Sequence, residues 1–256
     1  MEQDEYDAVK SDATAAKYLR SFRGSSEMLH KLKCWCLWLE DLNPGDLATS
    51  SVLKSRLKNT RNHRLESSRE ATRKLVEIPR LFGERRQPET EYLALPKVVS
   101  ETRRYFTVQR YGPELIYSEL LFHVEDEDSL MFALASSLMF IAWQKTAGGR
   151  LKSGLRCSNT LVWNTFPVPE LDDDTRTKII EAGKKALEAC EPHPEGKRSL
   201  ANHYNPLAMD PALLKAHDVL DRVVDKAMGT PKKLTTEKQR QEILLANYAR
   251  MMSEYA

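Results

Sequence analysis

Residues 130–143, LMFALASSLMFIAW, constrain this chain more than any other segment, because they carry no charge at all. The run is well short of the roughly 20 apolar residues that cross a bilayer, so it predicts a buried helix over 129–146 and no membrane partner. Gly148-Gly149 closes that helix. A helix apolar all round must be covered on every side. A chain of 256 residues with 41% hydrophobic content can supply that cover as one or two domains. The acidic start, Met-Glu-Gln-Asp-Glu, does not read as a secretory signal. Cys34, Cys36, Cys157 and Cys190 form no C-x-x-C pair, which argues against a zinc site or a disulfide framework and for a reducing cytoplasm.

The rest of the chain divides into two textures, and the predicted fold class is α+β. A first region, 1–168, is mixed. A weak helix is expected over 13–29, a compact strand over 33–39, and a helix over 46–76 after the Asn43-Pro44-Gly45 turn. Pro79 stops that helix, and 83–88 makes a basic loop. Short strands follow at 92–99, 104–109 and 119–124. The second region, 169–256, is all helical: 172–189 behind the acids Asp172-Asp173-Asp174, 211–228 behind Asp210-Pro211, and 236–255 behind Thr235-Thr236. In the middle helix Leu213, Ala216, Leu220, Val223 and Ala227 make an apolar stripe.

A net charge of +2 conceals a segregated distribution. Residues 51–110 hold fifteen Lys/Arg against seven Asp/Glu, a net +8, and residues 111–175 hold four against ten, a net −6. A basic segment of this kind suits a polyanionic partner, and equally a solvated face. Lys54, Lys58 and Arg61 recur at i, i+4 and i+7, on one side of the expected helix.

Residues that do chemistry are scarce. Nucleotide and S-adenosylmethionine sites need a Gly-rich turn for close backbone approach, and the ten glycines include no G-x-G. There is no Pro-Pro pair, hence no N/D-P-P-Y/F tetrapeptide of amino-methyltransferases. Glu195-Gly196-Lys197 lies in a proline-flanked loop rather than on strands around a metal. His217 and Asp221, at i, i+4, lack a third metal ligand and read better as a surface hydrogen bond; His203 and Tyr204 nominate nothing. The chain taken alone is therefore expected to have no catalytic residues, no metal and no cofactor.

What remains is recognition. The segment Lys97-Val98-Val99-Ser100-Glu101-Thr102-Arg103-Arg104-Tyr105 puts cations and hydroxyls at a strand-turn-strand corner, suited to phosphates or guanine edges and equally to solvent. In an extended strand from 149 to 158, Arg150, Lys152, Gly154, Arg156 and Ser158 would share one face. A one-sided cation row beside a glycine that admits a close backbone favours a ligand.

Several strings together resemble the C-terminal part of the MmeI-like type II restriction-modification enzymes and their class I S-adenosylmethionine-dependent DNA methyltransferase relatives. They are AKYLRSFRGS from Ala16, WCLWL from Trp35, LFGE from Leu81, LPKVVSETRRY from Leu95, residues 149–158, and NTFP from Asn164. Further on, SLA from Ser199, YNPLAM from Tyr204, LKAH from Leu214 and Leu220-Asp221 resemble that family's helical end. The resemblance implies a target recognition domain, 1–168, and a helical C-terminal domain, 169–256. It implies binding to double-stranded DNA as the specificity module of a DNA adenine methyltransferase or restriction-modification system. The catalytic cores, and S-adenosylmethionine with them, would lie upstream or in a separately encoded methyltransferase subunit. The rival reading is an interaction subunit or remnant docked on such a methyltransferase. In family members the positions matching Lys152 and Gly154 help choose one base pair, with Lys in the first position associated with guanine. Gly154 departs from the acidic or basic residue usual there, and Cys157 from a common aromatic. The resulting DNA-binding candidates are Lys152, Gly154, Arg150, Arg156, Ser158, Lys97, Ser100, Arg103 and Arg104, with Lys54, Lys58 and Arg61 for backbone contact.

Overall fold

A computed structural model describes residues 1–190, 198–230 and 232–254, and its fold is α+β. Helices α1 (Gln3–Ser11) and α2 (Ala13–Ala16) lead into strand β1 (Leu19–Arg23), helix α3 (Ser25–His30) and strand β2 (Trp35–Leu37). Helices α4 (Pro44–Thr49), α5 (Ser51–Leu65) and α6 (Glu70–Arg73) follow, then strands β3 (Tyr92–Pro96), β4 (Val98–Ser100), β5 (Gln109–Tyr111), β6 (Ile116–Tyr117) and β7 (Leu121–Glu125). Helices α7 (Leu130–Ala135) and α8 (Leu138–Ala147) precede strands β8 (Gly149–Leu151) and β9 (Gly154–Arg156) and a one-turn π-helix (Asn159–Trp163). The chain continues with α9 (Asp173–Cys190), α10 (Leu200–His203), α11 (Pro211–Ala227) and α12 (Glu237–Glu254). Two compact units interleave along it: Met1–Arg23, Leu32–Glu89 and Pro113–Glu119 in the first, and Gly24–Lys31, Thr90–Gly112 and Leu120–Ala256 in the second.

The first unit is built on a β2-β1-β6 sheet, with β2 antiparallel and β6 parallel to β1. The helix expected over 13–29 therefore stops early. Asp12 caps only the single turn of α2, accepting from Thr14 and Ala15, and Leu19–Arg23 spends its backbone on sheet partners instead. The helix expected over 46–76 is broken as well. Ser50 takes extended φ/ψ, its Oγ accepts from the Leu53 amide and donates to Asp12 at 2.5 Å, and α5 starts afresh behind it. Past α5, Arg64 donates to the carbonyls of Leu75, Ile78 and Leu81, and Arg80 to those of Leu39 and Glu40. Part of the basic segment is thus consumed in holding carbonyls that lack a helical partner.

The second unit holds the larger core. Strand β3, buried at all five positions, lies between β5 and β7. The segment expected as a strand over 104–109 is irregular until β5, and it plugs the core with buried Tyr105, Phe106, Thr107 and Val108. The apolar run is buried as predicted but is two helices. Ser137 accepts from the Phe140 amide and donates to the Leu134 carbonyl, capping α8 where a single helix was expected. Three long helices complete the unit close to their expected bounds. Asp172 accepts from the Thr175 amide, Asp210 from that of Ala212, and Thr236 from that of Gln239. Between α11 and α12, Arg240 and Asp225 form a buried two-bond pair at 3.0 and 2.6 Å. No described helix is long and apolar enough to cross a membrane. Among the described residues no three His, Cys, Asp or Glu side chains gather as metal ligands. The string Glu195-Gly196-Lys197 lies outside the described residues.

Candidate nucleic-acid interface

Helix α8 delivers the chain directly into a β-hairpin. At the junction Gln144 reaches across Gly148 and donates to the Arg156 carbonyl of β9 at 2.9 Å. A Cβ on Gly148 would lie 2.2 Å from the Gln144 Nε2, so only glycine leaves that bond its path. Strand β9 is central in a three-stranded β4-β9-β8 sheet, pairing Arg156 with Gly149 and Val98, Leu155 with Arg150 and Val99, and Gly154 with Leu151 and Ser100.

This register overturns the single extended strand expected over 149–158. Lys152 and Ser153 form a two-residue turn, so side-chain parity resets at the tip. Opposed residues share a face of a sheet, which puts Arg150 with Leu155 and Val99 and puts Arg156 on the other face with Val98. The cations do not form one row. Lys152 is at the hairpin apex with φ of 54°, Arg150 lies on one face two residues before it, and Arg156 lies at the base opposite Gly149. Two-residue hairpins with positive φ at the first central position normally carry glycine there. A lysine held left-handed at an exposed tip stores backbone strain of about 1–2 kcal/mol. The side chains of Lys152 and Arg156 have no hydrogen-bond or ion-pair partner among the described residues. Arg150 is tied to Glu101 at 2.6 Å.

Gly154 also has a different role from the one expected. Its missing Cβ is not open room for a ligand, since Val98 Cγ1 lies 2.6 Å from where that atom would be. Ser158 is engaged in capping: its Oγ accepts from the Leu161 amide at 3.3 Å and shares a hydrogen bond with Thr160.

The corner after β4 is more heavily committed. Ser100 and Thr102 hydroxyls share a 2.9 Å bond, and the Lys97 ammonium lies 4.8 Å from the centre of the Phe122 ring. Arg103, half-buried, donates to the Ala201 carbonyl at 3.3 Å, and burial lowers its pKa. Arg104 lies over the Tyr105 ring and pairs with Asp218 at 3.3 Å. Lys54, Lys58 and Arg61 belong to the first unit and are in register on α5. There Lys54 donates to the Ala48 carbonyl and Arg61 pairs with Glu77 at 3.5 Å, and Lys58 has no partner among the described residues.

Behind the corner lies a buried polar cluster that sequence reasoning missed. Tyr105 donates to Asp221 Oδ2 at 2.9 Å, and Asp221 Oδ1 accepts from the Leu138 amide at 2.8 Å. Tyr105 stacks on His217 with ring centres 4.0 Å apart, and His217 Nε2 shares a 3.0 Å bond with the Tyr204 hydroxyl. The surface hydrogen bond expected of His217 and Asp221 is corrected: they are 0% and 4% exposed and each bonds elsewhere. Burial pushes the Asp221 carboxyl up to about 7 against the pull of its two donors, and lowers His217 to about 4. Spacing carried the signal. Positions 213, 217, 220, 221 and 224 are one helical face, and the apolar members already marked it as inward.

Comparison with known proteins ends the assignment. Residues 1–170 match the family model described as the MmeI target recognition domain, and residues 171–256 match the MmeI C-terminal domain. The chain is 31% identical over 96% of its length to DNA methyltransferase A of Bacillus subtilis (strain 168), and it spans 27% of that protein. Its fold superimposes with a TM-score of 0.92, at 33% identity over 98% of the chain, on the Type IIL restriction-modification enzyme MmeI solved in complex with DNA, of which it covers 33%. From its target-recognition match through its C-terminal match, the chain belongs to the MmeI family.

Proposed function

We propose that this chain recognises a short sequence in double-stranded DNA for a DNA methyltransferase or restriction-modification enzyme, reading bases with the β8–β9 hairpin. The observation that carries this reading is the strained, exposed and unpaired Lys152 at the hairpin apex, in a chain of the target-recognition family. A lysine there suits guanine O6 and N7 in the major groove. Arg156 on the opposite face, and Arg150 once released from Glu101, supply adjacent base or phosphate contacts. Gly154 and Ser158 shape the hairpin. Lys97, Ser100, Arg103 and Arg104 form a second line at the corner, and the α5 face of Lys54, Lys58 and Arg61 contacts backbone phosphates. Residues 1–168 would carry the reading and 169–256 the helical support. The chain's share of the work is recognition. Methyl transfer and S-adenosylmethionine belong to a catalytic core, in the same polypeptide or in a separate subunit, at work in the cytoplasm; four cysteines joined by no disulfide agree with that compartment.

The test is selection of the purified chain against duplexes with a randomised block, followed by affinity measurements on the enriched sequence at several salt concentrations. Lys152→Ala should relax preference at one base pair at a cost of about 1–3 kcal/mol and leave the other positions intact. Enrichment of no sequence by wild type, or equal selectivity in Lys152→Ala, rejects the reading.

A further inference from the structure

We infer that Asp221 of α11 is a positioning residue for the DNA-reading hairpin, bracing both elements that carry it. The inference rests on the proposed function above and adds the device that holds the reading residue in place. The two oxygens of one buried carboxylate act in two directions. Oδ1 accepts from the Leu138 amide at the first turn of α8, the helix that runs into β8 and whose Gln144 fastens β9 at the Arg156 carbonyl. Oδ2 accepts from the Tyr105 hydroxyl, which anchors the chain just after the corner whose strand β4 pairs with β9. The hairpin bearing Lys152 is thus suspended from two supports that meet at one side chain.

The neighbours make that junction stiff. Tyr105 is clamped between Asp221 and the stacked His217, and Tyr204 fixes His217. Arg104 pairs with Asp218 one turn before Asp221, and Arg103 holds the Ala201 carbonyl within α10. The charged and titratable groups around the carboxylate are His217 and Asp225 on α11, Arg240 on α12, and Tyr105 and Arg104 on the corner. An acid this deeply buried is disfavoured as a packing element, and an apolar side chain there would need no desolvation. Two acceptors aimed at donors on separate elements are what a carboxylate supplies and a leucine cannot. A displacement of even 1 Å at a reading side chain removes its discrimination while leaving phosphate contacts in place.

The experiment measures two things on the full chain for Asp221→Asn, Asp221→Leu, Tyr105→Phe and a packing control, Val224→Ala, on the same buried face. The first is the affinity ratio between the duplex enriched by wild type and a scrambled duplex, with its salt dependence. The second is amide hydrogen exchange at residues 149–157. Asp221→Leu should lower the ratio about tenfold with the salt slope unchanged, and should speed hairpin exchange about tenfold beyond any global change. Tyr105→Phe, which removes one brace, should do part of this, and Asp221→Asn, which keeps the acceptor for Leu138, should do least. Val224→Ala should leave the ratio and the hairpin's relative protection at wild-type values. If Asp221→Leu does not fold, Tyr105→Phe and Asp221→Asn decide. Hairpin protection and ratio equal to wild type in the Asp221 and Tyr105 variants overturn the inference. If wild type selects no duplex, the DNA reading fails alone and the exchange measurement still judges the brace.

Discussion

The hairpin tip and the corner at 100–105 look alike in sequence, each a short basic segment with hydroxyls beside it, and the fold treats them oppositely. On the hairpin, the side chains of Lys152 at the tip and Arg156 at the base have no partner among the described residues, and the backbone of Lys152 is strained. At the corner, Arg103 and Arg104 are tied to the Ala201 carbonyl and Asp218, and Tyr105 is sunk into the core. Charge counted along a sequence measures the cations a segment holds; the fold decides how many are free. A free cation reaches a ligand at no cost in lost contacts, whereas a tied one must first surrender its partner. The tip has the build of a reading element, and the corner that of a foundation.

The sharpest way to break this contrast is to compare stabilities. Tyr105→Ala should cost about 3–5 kcal/mol in denaturant unfolding, as removal of a buried ring does, while Lys152→Ala should stay within about 0.5 kcal/mol of wild type. Comparable losses at both sites would erase the distinction. Next in size is a pH effect. The Asp221 carboxyl is raised in the fold from 3.8 to about 7, so its contribution to stability is present below pH 3.8 and is lost as pH rises through 7. His217, lowered from 6.5 to about 4, works the other way: its contribution is present above pH 6.5 and is lost as pH falls through 4. Titrating unfolding free energy against pH, wild type should lose ground to Asp221→Asn between pH 4 and 7 by at most about 1.4 kcal/mol per pH unit. A pH-independent difference would remove the burial argument. Smaller still, and opposite in sign, Lys152→Gly should raise stability by up to about 1 kcal/mol by relieving the left-handed lysine, while base preference is lost. A destabilised glycine variant would mean the turn is not strained.

What could be read from the residues alone followed periodicity. The three long C-terminal helices stood out because Asp172, Asp210 and Thr236 are caps whose chemistry is local and whose apolar stripes repeat over four or more turns. Burial of the 130–143 run was legible for the same reason, but its break at Ser136-Ser137 was not, because a serine inside an apolar pattern reads as tolerated until its hydroxyl claims the Phe140 amide. The hairpin failed differently. Arg150, Lys152, Gly154 and Arg156 alternate as a strand should, and Ser153-Gly154 is only a weak local mark of the turn, since the usual Asn-Gly or leading glycine is absent. Tertiary pairing of β9 with β4 imposes the turn. The Tyr105–Asp221 bond was invisible because it joins residues 116 positions apart.

The smallest predicted effect carries the same contrast into the first unit, where Lys54 and Lys58 share one face of α5 but differ in commitment. Lys54 gives its ammonium to the Ala48 carbonyl, and Lys58 gives its own to nothing among the described residues. If the face touches DNA phosphates, each contact contributes about 0.9 to the slope of log affinity against log salt. Lys58→Ala should lower that slope by about this amount with no change in base preference. Lys54→Ala should lower it less, because the side chain divides its time between the helix carbonyl and the phosphate. Equal drops at both positions would show that a single exposed carbonyl bond does not hold a lysine back from DNA, which would confine the contrast between free and tied cations to partners that are themselves charged or buried.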